Sequence, residues 1–179
     1  MPLSQHVSAD AVRALPDDGN RYETVHGELL VTPAPSLTHQ WVLANLFRIL
    51  DGYLASHGIR EILWSPADIS FGDDTLVQPD LFVADMAAMR RSGRWADVGT
   101  FRLVIEVVSP SSKAADRGVK RRLYQEQRIP LYWIVDIDQR QVEVWTPDAQ
   151  FPTVERERLT WRHPDLEDEC VVDLAAVFA

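Results

Sequence analysis

The feature that most constrains this chain is a strand–helix–strand pattern in its middle third. Residues 101–108 (FRLVIEVV) are its most strand-like run, residues 111–127 are predicted as a helix, and residues 131–136 (LYWIVD) are another apolar strand. Two strands joined in this way are normally parallel neighbours, because the helix crosses over one face of the sheet. The pattern predicts a mixed sheet flanked by helices, in the α/β or α+β class.

Shorter elements are predicted on both sides of this unit from caps, turn residues and hydrophobic spacing. They are a helix at 8–15, a hairpin of strands 22–25 and 28–32, a helix from Ser36 to about Gly58, strands at 61–64, 68–71 and 77–83, a short helix and loop in 85–99, a strand at 141–146, and one or two strands with a terminal helix at about 173–178. No repeat or linker separates them, so residues 1–179 are predicted to form one domain.

Composition narrows the class of protein further. At 179 residues and 46% hydrophobic, the chain has the size and composition of one globular domain. Its apolar runs are too short for a membrane helix and its N-terminus lacks the pattern of a signal peptide, so we expect a cytoplasmic protein with no membrane partner. The single cysteine, Cys170, excludes an intramolecular disulfide and a cysteine-rich zinc site. A net charge of −9 argues against a nucleic-acid coat protein but does not exclude an enzyme that acts on nucleic acid.

Two acids stand in runs that otherwise have the character of buried strands, Asp80 in VQPDLFV and Glu106 in LVIEVV. An ionised carboxylate in that setting is costly unless a cation or hydrogen bonds satisfy it. Two carboxylates at one end of a sheet would repel each other, and a divalent ion, which prefers oxygen ligands, removes that cost. The plainer interpretation, that an acid faces solvent or pairs with an arginine, suits one such acid better than two.

The helix predicted after Glu106 carries Asp116, Lys120 and Tyr124 at four-residue spacing, and therefore on one face. An Asp–Lys pair of this kind is also an ordinary way to support an exposed helix. Because the helix begins near the end of the strand that holds Glu106, its lysine can reach back to a metal–carboxylate centre. There it would orient or deprotonate water, or neutralise charge on a phosphate.

The same helix holds the only dense basic cluster of this acidic chain, which consists of Lys113, Arg117, Arg121 and Arg122. Two interpretations of the cluster stay open. It is either a solvated helix face or a nucleic-acid-binding patch that contacts phosphates.

Four segments carry a resemblance to a known family: RYETVHGELLVTPAPSLTHQ, VQPDLFV, LVIEVVSPSSKAADRGVKRRLY and IPLYWIVDIDQRQVEVW. In that order and at those intervals, they resemble the Uma2-like (DUF820) branch of the PD-(D/E)XK restriction-endonuclease-like nuclease superfamily. The resemblance covers about residues 20–147. It implies a mixed sheet flanked by helices, in which an Asp and a Glu on neighbouring strands bind Mg²⁺ or Mn²⁺.

The metal-binding and catalytic positions of that superfamily map onto this chain residue by residue. Asp80 matches the Asp and Glu106 matches the Glu. The usual lysine two residues after the Glu is replaced by Val108. In the Uma2-like branch a lysine on the following helix takes its place, and Lys120 occupies that position.

Further residues are expected to support this centre. Glu28, in HGEL, matches a family acid that completes the metal shell, although it is equally suited to an ordinary strand. His39, in a family-like HQ pair, is interpreted as a structural or cap contact rather than a ligand. Asp116 would orient Lys120, and Tyr124 would pack below that lysine.

We therefore expect a metal-dependent endonuclease that hydrolyses phosphodiester bonds of nucleic acid, with DNA as the expected substrate. Asp80 and Glu106 would hold Mg²⁺ or Mn²⁺ with the backbone carbonyl of Val107 as a further ligand, while Lys120 positions the attacking water. Nucleases that cut both strands often act as dimers, so a homodimer is also expected.

Two other classes of function stay open. A nuclease-like fold that binds nucleic acid or a protein partner without cutting is favoured by the acidic surface and by Val108. A serine hydrolase is suggested by Ser109, Ser111 and Ser112, but the G-x-S-x-G elbow is absent. These serines are better interpreted as turn residues and a helix cap.

Overall fold

The structure, a computed structural model, describes residues 6–179. Its helices are α1 (Ala9–Arg13), α2 (Leu37–Ser56), α3 (Ala87–Ser92), α4 (Lys113–Ala115), α5 (Arg121–Glu126) and α6 (Leu174–Val177). Its strands are β1 (Arg21–Val25), β2 (Glu28–Thr32), β3 (Ile62–Trp64), β4 (Ile69–Ser70), β5 (Leu76–Val77), β6 (Leu81–Ala84), β7 (Phe101–Val108), β8 (Tyr132–Asp136), β9 (Gln141–Trp145), β10 (Thr153–Glu155), β11 (Arg158–Trp161) and β12 (Cys170–Asp173).

The predicted strand–helix–strand unit forms the centre of the fold. β7 and β8 pair in parallel, with Val104 opposite Tyr132 and Val108 opposite Asp136. They lie in a six-stranded sheet of order β10-β9-β8-β7-β6-β3, in which the other neighbouring pairs are antiparallel. A four-stranded sheet of order β2-β1-β5-β4 and the antiparallel pair β11–β12 accompany it. The mixed α/β class expected from the sequence is therefore confirmed.

Both faces of the six-stranded sheet are covered, which explains why β7 is almost continuously apolar. Ile105 packs in the same core as the inner face of α2, while Val104 and Val108 pack in a second core that includes α5. Because successive strand residues point to opposite faces, Glu106 lies on the α5 side of the sheet.

The helix α2 begins at its predicted cap, where Ser36 Oγ accepts a hydrogen bond from the His39 amide at 3.2 Å. Leu46, Leu50 and Leu54 are fully buried on its inner face, as their spacing predicts. No helix among residues 6–179, α2 included, combines the length and apolar composition that a bilayer span requires.

Two of the predicted strand assignments were wrong. The apolar run 77–83 is not one strand, because β5 ends at Val77 and β6 begins at Leu81, and the two belong to different sheets. Between them stands Pro79, which has no amide hydrogen to continue a ladder. In the tail, three strands form (β10, β11 and β12) where one or two were expected.

The helix expected over 111–127 forms, but it is not uniform. α4 and α5 are joined by a π-helical turn, Asp116–Lys120, and both Asp116 and Lys120 are buried there. Turns of this wider kind occur frequently at functional sites. The segment therefore places a buried aspartate and a buried lysine directly against the face of the sheet that α5 covers.

Candidate active site

The break before β6 positions the first acid. The antiparallel register pairs Leu81 with Ile105, so its continuation would bring Pro79 opposite Val107. The β6–β7 ladder ends at the pair Leu81–Ile105, so the Val107 amide is free to donate to a side chain instead of to β6. The Val107 amide donates to Asp80 Oδ2 at 2.9 Å.

Asp80 is almost fully buried and has two further partners. Arg21 Nη1 donates to its Oδ1 at 2.7 Å, and His39 Nε2 lies 3.0 Å from its Oδ2. Burial by itself would raise the pKa of Asp80, but the hydrogen bond to His39 and the charge of Arg21 hold it well below its usual value. Asp80 is therefore an ionised carboxylate anchored from β1, β7 and α2.

Glu106 lies beside Asp80 with a different set of partners. Its Oε1 accepts from Lys120 Nζ at 2.9 Å and from the Tyr124 hydroxyl at 3.1 Å. Its Oε2 lies 3.4 Å from the amide of Asp80. Burial, together with the neighbouring charges of Asp80 and Asp116, raises the pKa of Glu106 well above its usual value, although Lys120 opposes this shift.

Lys120 is the buried cation of the cluster, with only 3% of its side chain exposed. Its ammonium lies 2.9 Å from both Glu106 and Glu23 and 3.5 Å from Asp116. Burial alone would lower the pKa of Lys120, but the surrounding carboxylates raise it well above its usual value. Lys120 is thus a permanently protonated donor.

Asp116 stands one helical turn before Lys120 and is also buried. Its Oδ1 has no hydrogen-bond partner among the described residues, because the contact to Lys120 Nζ is only an ion pair at 3.5 Å. Burial raises the pKa of Asp116, and Lys120 opposes that shift. The expected contact between Asp116 and Lys120 is present, and the Tyr124 hydroxyl donates to Glu106 Oε1, the same oxygen that Lys120 contacts.

The expectation that Glu28 joins this cluster is not met, and Glu23 takes its place. Glu28 is exposed at the start of β2, opposite Val25 and beside the hairpin turn, and it borders a different depression. Glu23 is 2% exposed, contacts Lys120 and accepts from the Gln78 amide at 2.7 Å. The missed signal is strand alternation, which puts Arg21 and Glu23 on the same face of β1.

Two of the predicted phosphate-contact residues, Arg117 and Lys113, form ion pairs with acids of the same chain. Arg117 Nη2 lies 2.7 Å from Asp136 and 2.6 Å from Glu143, and Lys113 Nζ lies 3.0 Å from Asp136. Burial would raise the pKa of Asp136, but hydrogen bonds from Arg117 and Lys113 lower it to about 2. This is a structural ion network at the end of β8.

The other two basic residues differ from each other. Arg121 stacks on the ring of Trp145, 4.8 Å from its centroid, and donates to the Gln125 side chain. Arg122 is exposed and has no ion pair among the described residues. Of the predicted basic cluster, Arg122 alone is thus free of internal partners in the part of the chain that the structure describes.

A pocket of about 230 Å³ opens above the acids. Its lining includes Arg21, Glu23, His39, Asp80, Glu106, Val107, Asp116 and Lys120, with Pro33–Ser36 and Ser109–Ser112 at its rim. Ser109 and Ser112 bond to each other at 3.2 Å, and the described contacts of Ser109 include no histidine. The rim serines are therefore turn residues, as predicted. Within residues 6–179 the predicted helix cap does not form, because Ser112, at the cap position of α4, makes no capping hydrogen bond to the helix.

The donor set of this pocket fits a hard divalent cation in chemistry and in charge. Four carboxylates and two permanent cations meet there, which leaves two formal negative charges: Glu23, Asp80, Glu106 and Asp116, with Arg21 and Lys120. Within residues 6–179, no three acid, histidine or cysteine side chains already form a ligand set. Every oxygen of Asp80 and Glu106 also accepts a hydrogen bond, so these contacts would have to rearrange for an ion to bind.

Comparison with known proteins identifies a family and several related solved structures. The model of the Uma2 family, described as "putative restriction endonuclease", matches residues 9–175. A solved structure described as "a putative nuclease belonging to DUF820", from Anabaena variabilis ATCC 29413, superposes with a TM-score of 0.72 at 19% identity, covering 96% of this chain and 97% of that chain. At that identity the likeness shows a shared fold. Nothing among the curated proteins matches this chain.

Proposed function

The chain belongs to the Uma2 family of restriction-endonuclease-like proteins, and we propose that it is a Mg²⁺- or Mn²⁺-dependent endonuclease that hydrolyses phosphodiester bonds of DNA. One observation carries the proposal. Asp80, Glu106 and Lys120, from three separate parts of the chain, meet as buried neighbours at the floor of one pocket. Burying that much charge is costly, which is typical of a site built for chemistry rather than for stability.

Asp80 and Glu106 would hold the ion. Asp116 offers a further oxygen, because its Oδ1 has no hydrogen bond among the described residues. The carbonyl of Val107 lies on the same edge of β7 as the amide that bonds to Asp80, since both groups of a strand residue point to one side. A bound Mg²⁺ or Mn²⁺ supplies an activated water and neutralises charge on the phosphate.

Lys120 acts as a donor in this proposal and not as a base. Its raised pKa keeps the ammonium protonated, so it cannot take a proton from water at neutral pH. Its contacts with Glu23 and Glu106 hold the ammonium at the pocket floor. From there it would donate a hydrogen bond to the attacking water or to a phosphate oxygen.

His39 keeps Asp80 in position. Its Nε2 contacts Asp80 Oδ2, and its amide is fixed by Ser36 Oγ at the start of α2. A buried carboxylate held by several directed contacts loses little freedom when it binds a ligand. His39 is therefore proposed as a positioning residue.

A second candidate function is a nuclease-fold module that binds nucleic acid without cutting it. The observation in its favour is that every oxygen of Asp80 and Glu106 already has a protein donor, from Arg21, His39, Val107, Lys120, Tyr124 or the Asp80 amide. A cluster that satisfies itself in this way would be stable without a metal. It predicts that Mn²⁺ does not bind.

The test is a cleavage assay on purified protein with supercoiled plasmid and with a single-stranded oligonucleotide. Each substrate is incubated with Mg²⁺, Mn²⁺ or a chelator. We expect cleavage with the metals, none with the chelator, and a loss of at least about 10³-fold in Asp80→Asn. The matched control is Asp138→Asn, in the exposed β8–β9 turn, which should cleave like the wild type. Equal metal-dependent cleavage by Asp80→Asn would refute the assignment.

A further inference from the structure

Arg21 is the pocket residue that neither the family resemblance nor the proposed reaction uses. We infer that Arg21 is a phosphate-binding residue, which is held on Asp80 in the structure and moves to a substrate phosphate when a divalent cation binds that carboxylate. The inference rests on the proposed function, since it assumes that Asp80 binds metal. It adds a substrate contact and a link between metal binding and DNA binding.

The contacts of Arg21 are few and lie on one side of its guanidinium. Nη1 donates to Asp80 Oδ1 at 2.7 Å and lies 3.3 Å from the Gln78 carbonyl. No other hydrogen bond of this guanidinium is present among the described residues. The side chain is 20% exposed and lines the pocket. Most of its donors are therefore available to a ligand in the pocket.

Lys120, the other permanent cation of the pocket, is much less able to move. It is 3% exposed and lies within 3.5 Å of three carboxylates, those of Glu23, Glu106 and Asp116. Moving its ammonium towards a substrate would leave those acids without a cation. Arg21 gives up one carboxylate contact when it moves.

Binding of a divalent cation would weaken the contact that holds Arg21. Asp80 Oδ1 has Arg21 as its hydrogen-bond partner, whereas Oδ2 has His39 and the Val107 amide. An ion on Asp80 brings positive charge next to the guanidinium, and the two repel at short range. The ladder hydrogen bonds of β1 are made by the backbone, so the Arg21 side chain can turn towards the pocket opening without breaking them.

A phosphodiester is the ligand that matches a released arginine at this place. The planar guanidinium presents donors in pairs that fit two phosphate oxygens. A pocket with two excess negative charges would otherwise repel the backbone of DNA. A divalent ion neutralises those two charges, and the freed Arg21 then presents its guanidinium to the phosphate at the moment when substrate must bind.

The first test measures Mn²⁺ affinity by calorimetry for the wild type, Arg21→Gln and Arg21→Lys. Removing the competing guanidinium should tighten Mn²⁺ binding by about 5- to 10-fold in Arg21→Gln. Arg21→Lys, which keeps a cation, should stay within about 2-fold of the wild type. Melting temperatures of the variants check that both are folded.

The second test measures binding of a fluorescent DNA duplex with chelator and with Ca²⁺, a cation with the same preference for oxygen ligands. With Ca²⁺, Arg21→Gln should bind about 10-fold more weakly than the wild type, and the salt dependence of its binding should fall by about one charge. With chelator, the two proteins should bind alike, because Arg21 then stays on Asp80. Arg128→Gln, an exposed arginine paired with Asp148, is the matched control in both conditions.

The possible outcomes distinguish failure of this inference from failure of the proposed function on which it rests. Tighter Mn²⁺ binding combined with a Ca²⁺-dependent loss of DNA binding supports the inference. Unchanged or weaker Mn²⁺ binding in a folded Arg21→Gln overturns it, as does an equal loss of DNA binding with and without Ca²⁺, or no loss at all. Failure of the wild type to bind Mn²⁺ overturns the proposed function, and this inference with it.

Discussion

Lys120 Nζ and Glu106 Oε1 lie 2.9 Å apart in a fully buried ion pair, although they belong to different elements and are 14 residues apart. Glu106 comes from β7 and Lys120 from the π-helical turn that crosses back over the sheet. The crossover itself therefore creates the pair. A lysine on the following helix can in this way reach the site without being next to the glutamate in sequence.

The first prediction concerns the cost of removing this lysine. Lys120→Met should lower the free energy of unfolding by about 3–5 kcal/mol at pH 7, because Glu23, Glu106 and Asp116 would be left buried without a cation. Urea unfolding measures the change. Lys113→Met, in which the replaced side chain is 36% exposed, is the control and should cost about 1 kcal/mol or less.

A double variant sharpens that prediction. Lys120→Met combined with Glu106→Gln removes both members of the pair and should lose less stability than the sum of the two single changes. Strictly additive losses would mean that the ion pair between these residues contributes nothing to folding.

The parts of the fold that could be predicted are those with a local signal. The β7–α5–β8 crossover follows from a long apolar run, a helical segment and a second apolar run. By contrast, the run 77–83 has the pattern of one strand, and only tertiary pairing divides it between two sheets around Pro79. β4 and β5, of two residues each, are likewise fixed by their partners and not by their own sequence.

The residues of the candidate site show the same difference between local sequence signals and tertiary contacts. Asp80 and Glu106 are ionisable groups within apolar runs, so their burial could be anticipated from sequence. Lys120 stands in a polar helical segment that is equally typical of an exposed face, and its place at the site is expected chiefly from the family resemblance. Arg21 and Glu23 stand in a strand where polar and apolar residues alternate, a pattern equally typical of a strand that faces solvent. Only tertiary contacts bury Glu23, against Lys120 and the Gln78 amide. They also partly cover Arg21, against Asp80.

The second prediction is that two aspartates respond to pH with opposite signs. The pKa of Asp116 is raised in the folded protein, because burial penalises its charge. The native state therefore holds a proton that the unfolded chain releases. As a result, Asp116 lowers the free energy of unfolding as pH rises above its unfolded pKa near 4. Asp116→Asn should accordingly gain stability at pH 8 relative to the wild type, and the gain should vanish near pH 4.

Asp136 is the matched case of the opposite sign. Its pKa is lowered to about 2, because hydrogen bonds from Arg117 and Lys113 outweigh burial. The stability that the ionised Asp136 contributes to the folded protein is present above the unfolded pKa near 4 and is lost as pH falls towards 2. Asp136→Asn should therefore lose stability at pH 8 and lose less at pH 3. Thermal unfolding of both variants across this range measures the two signs, and a shift of the same sign in both would contradict the assignment.

The third prediction compares the stability effects of replacing Arg117 and Arg122, two arginines of the helical segment 111–127. Arg117→Ala should lower the free energy of unfolding by about 2–4 kcal/mol, because it leaves the buried acids Asp136 and Glu143 without their main partner. Arg122→Ala should change stability by less than about 0.5 kcal/mol, since Arg122 is exposed and unpaired among the described residues.

In DNA binding, by contrast, we expect Arg122→Ala to have the larger effect of these two substitutions. If Arg122 contacts a phosphate, Arg122→Ala lowers the salt dependence of DNA binding by about one charge. Titrations at several NaCl concentrations measure this slope. A slope equal to that of the wild type would leave Arg122 as a solvated residue.

The fourth prediction compares Glu23 with Glu28, the two acids of the N-terminal hairpin. Glu23→Gln should reduce cleavage and Mn²⁺ affinity by about 10- to 100-fold, the range typical of a residue that orients a functional group without contacting substrate. The reason is that Glu23 holds Lys120 at 2.9 Å and ties it to the Gln78 amide that precedes Asp80. Glu28→Gln removes the same charge from an exposed position, so it should stay within about 2-fold of the wild type. Equal effects of the two changes would mean that the hairpin acts through its overall charge, and that the contact between Glu23 and Lys120 has no part in the site.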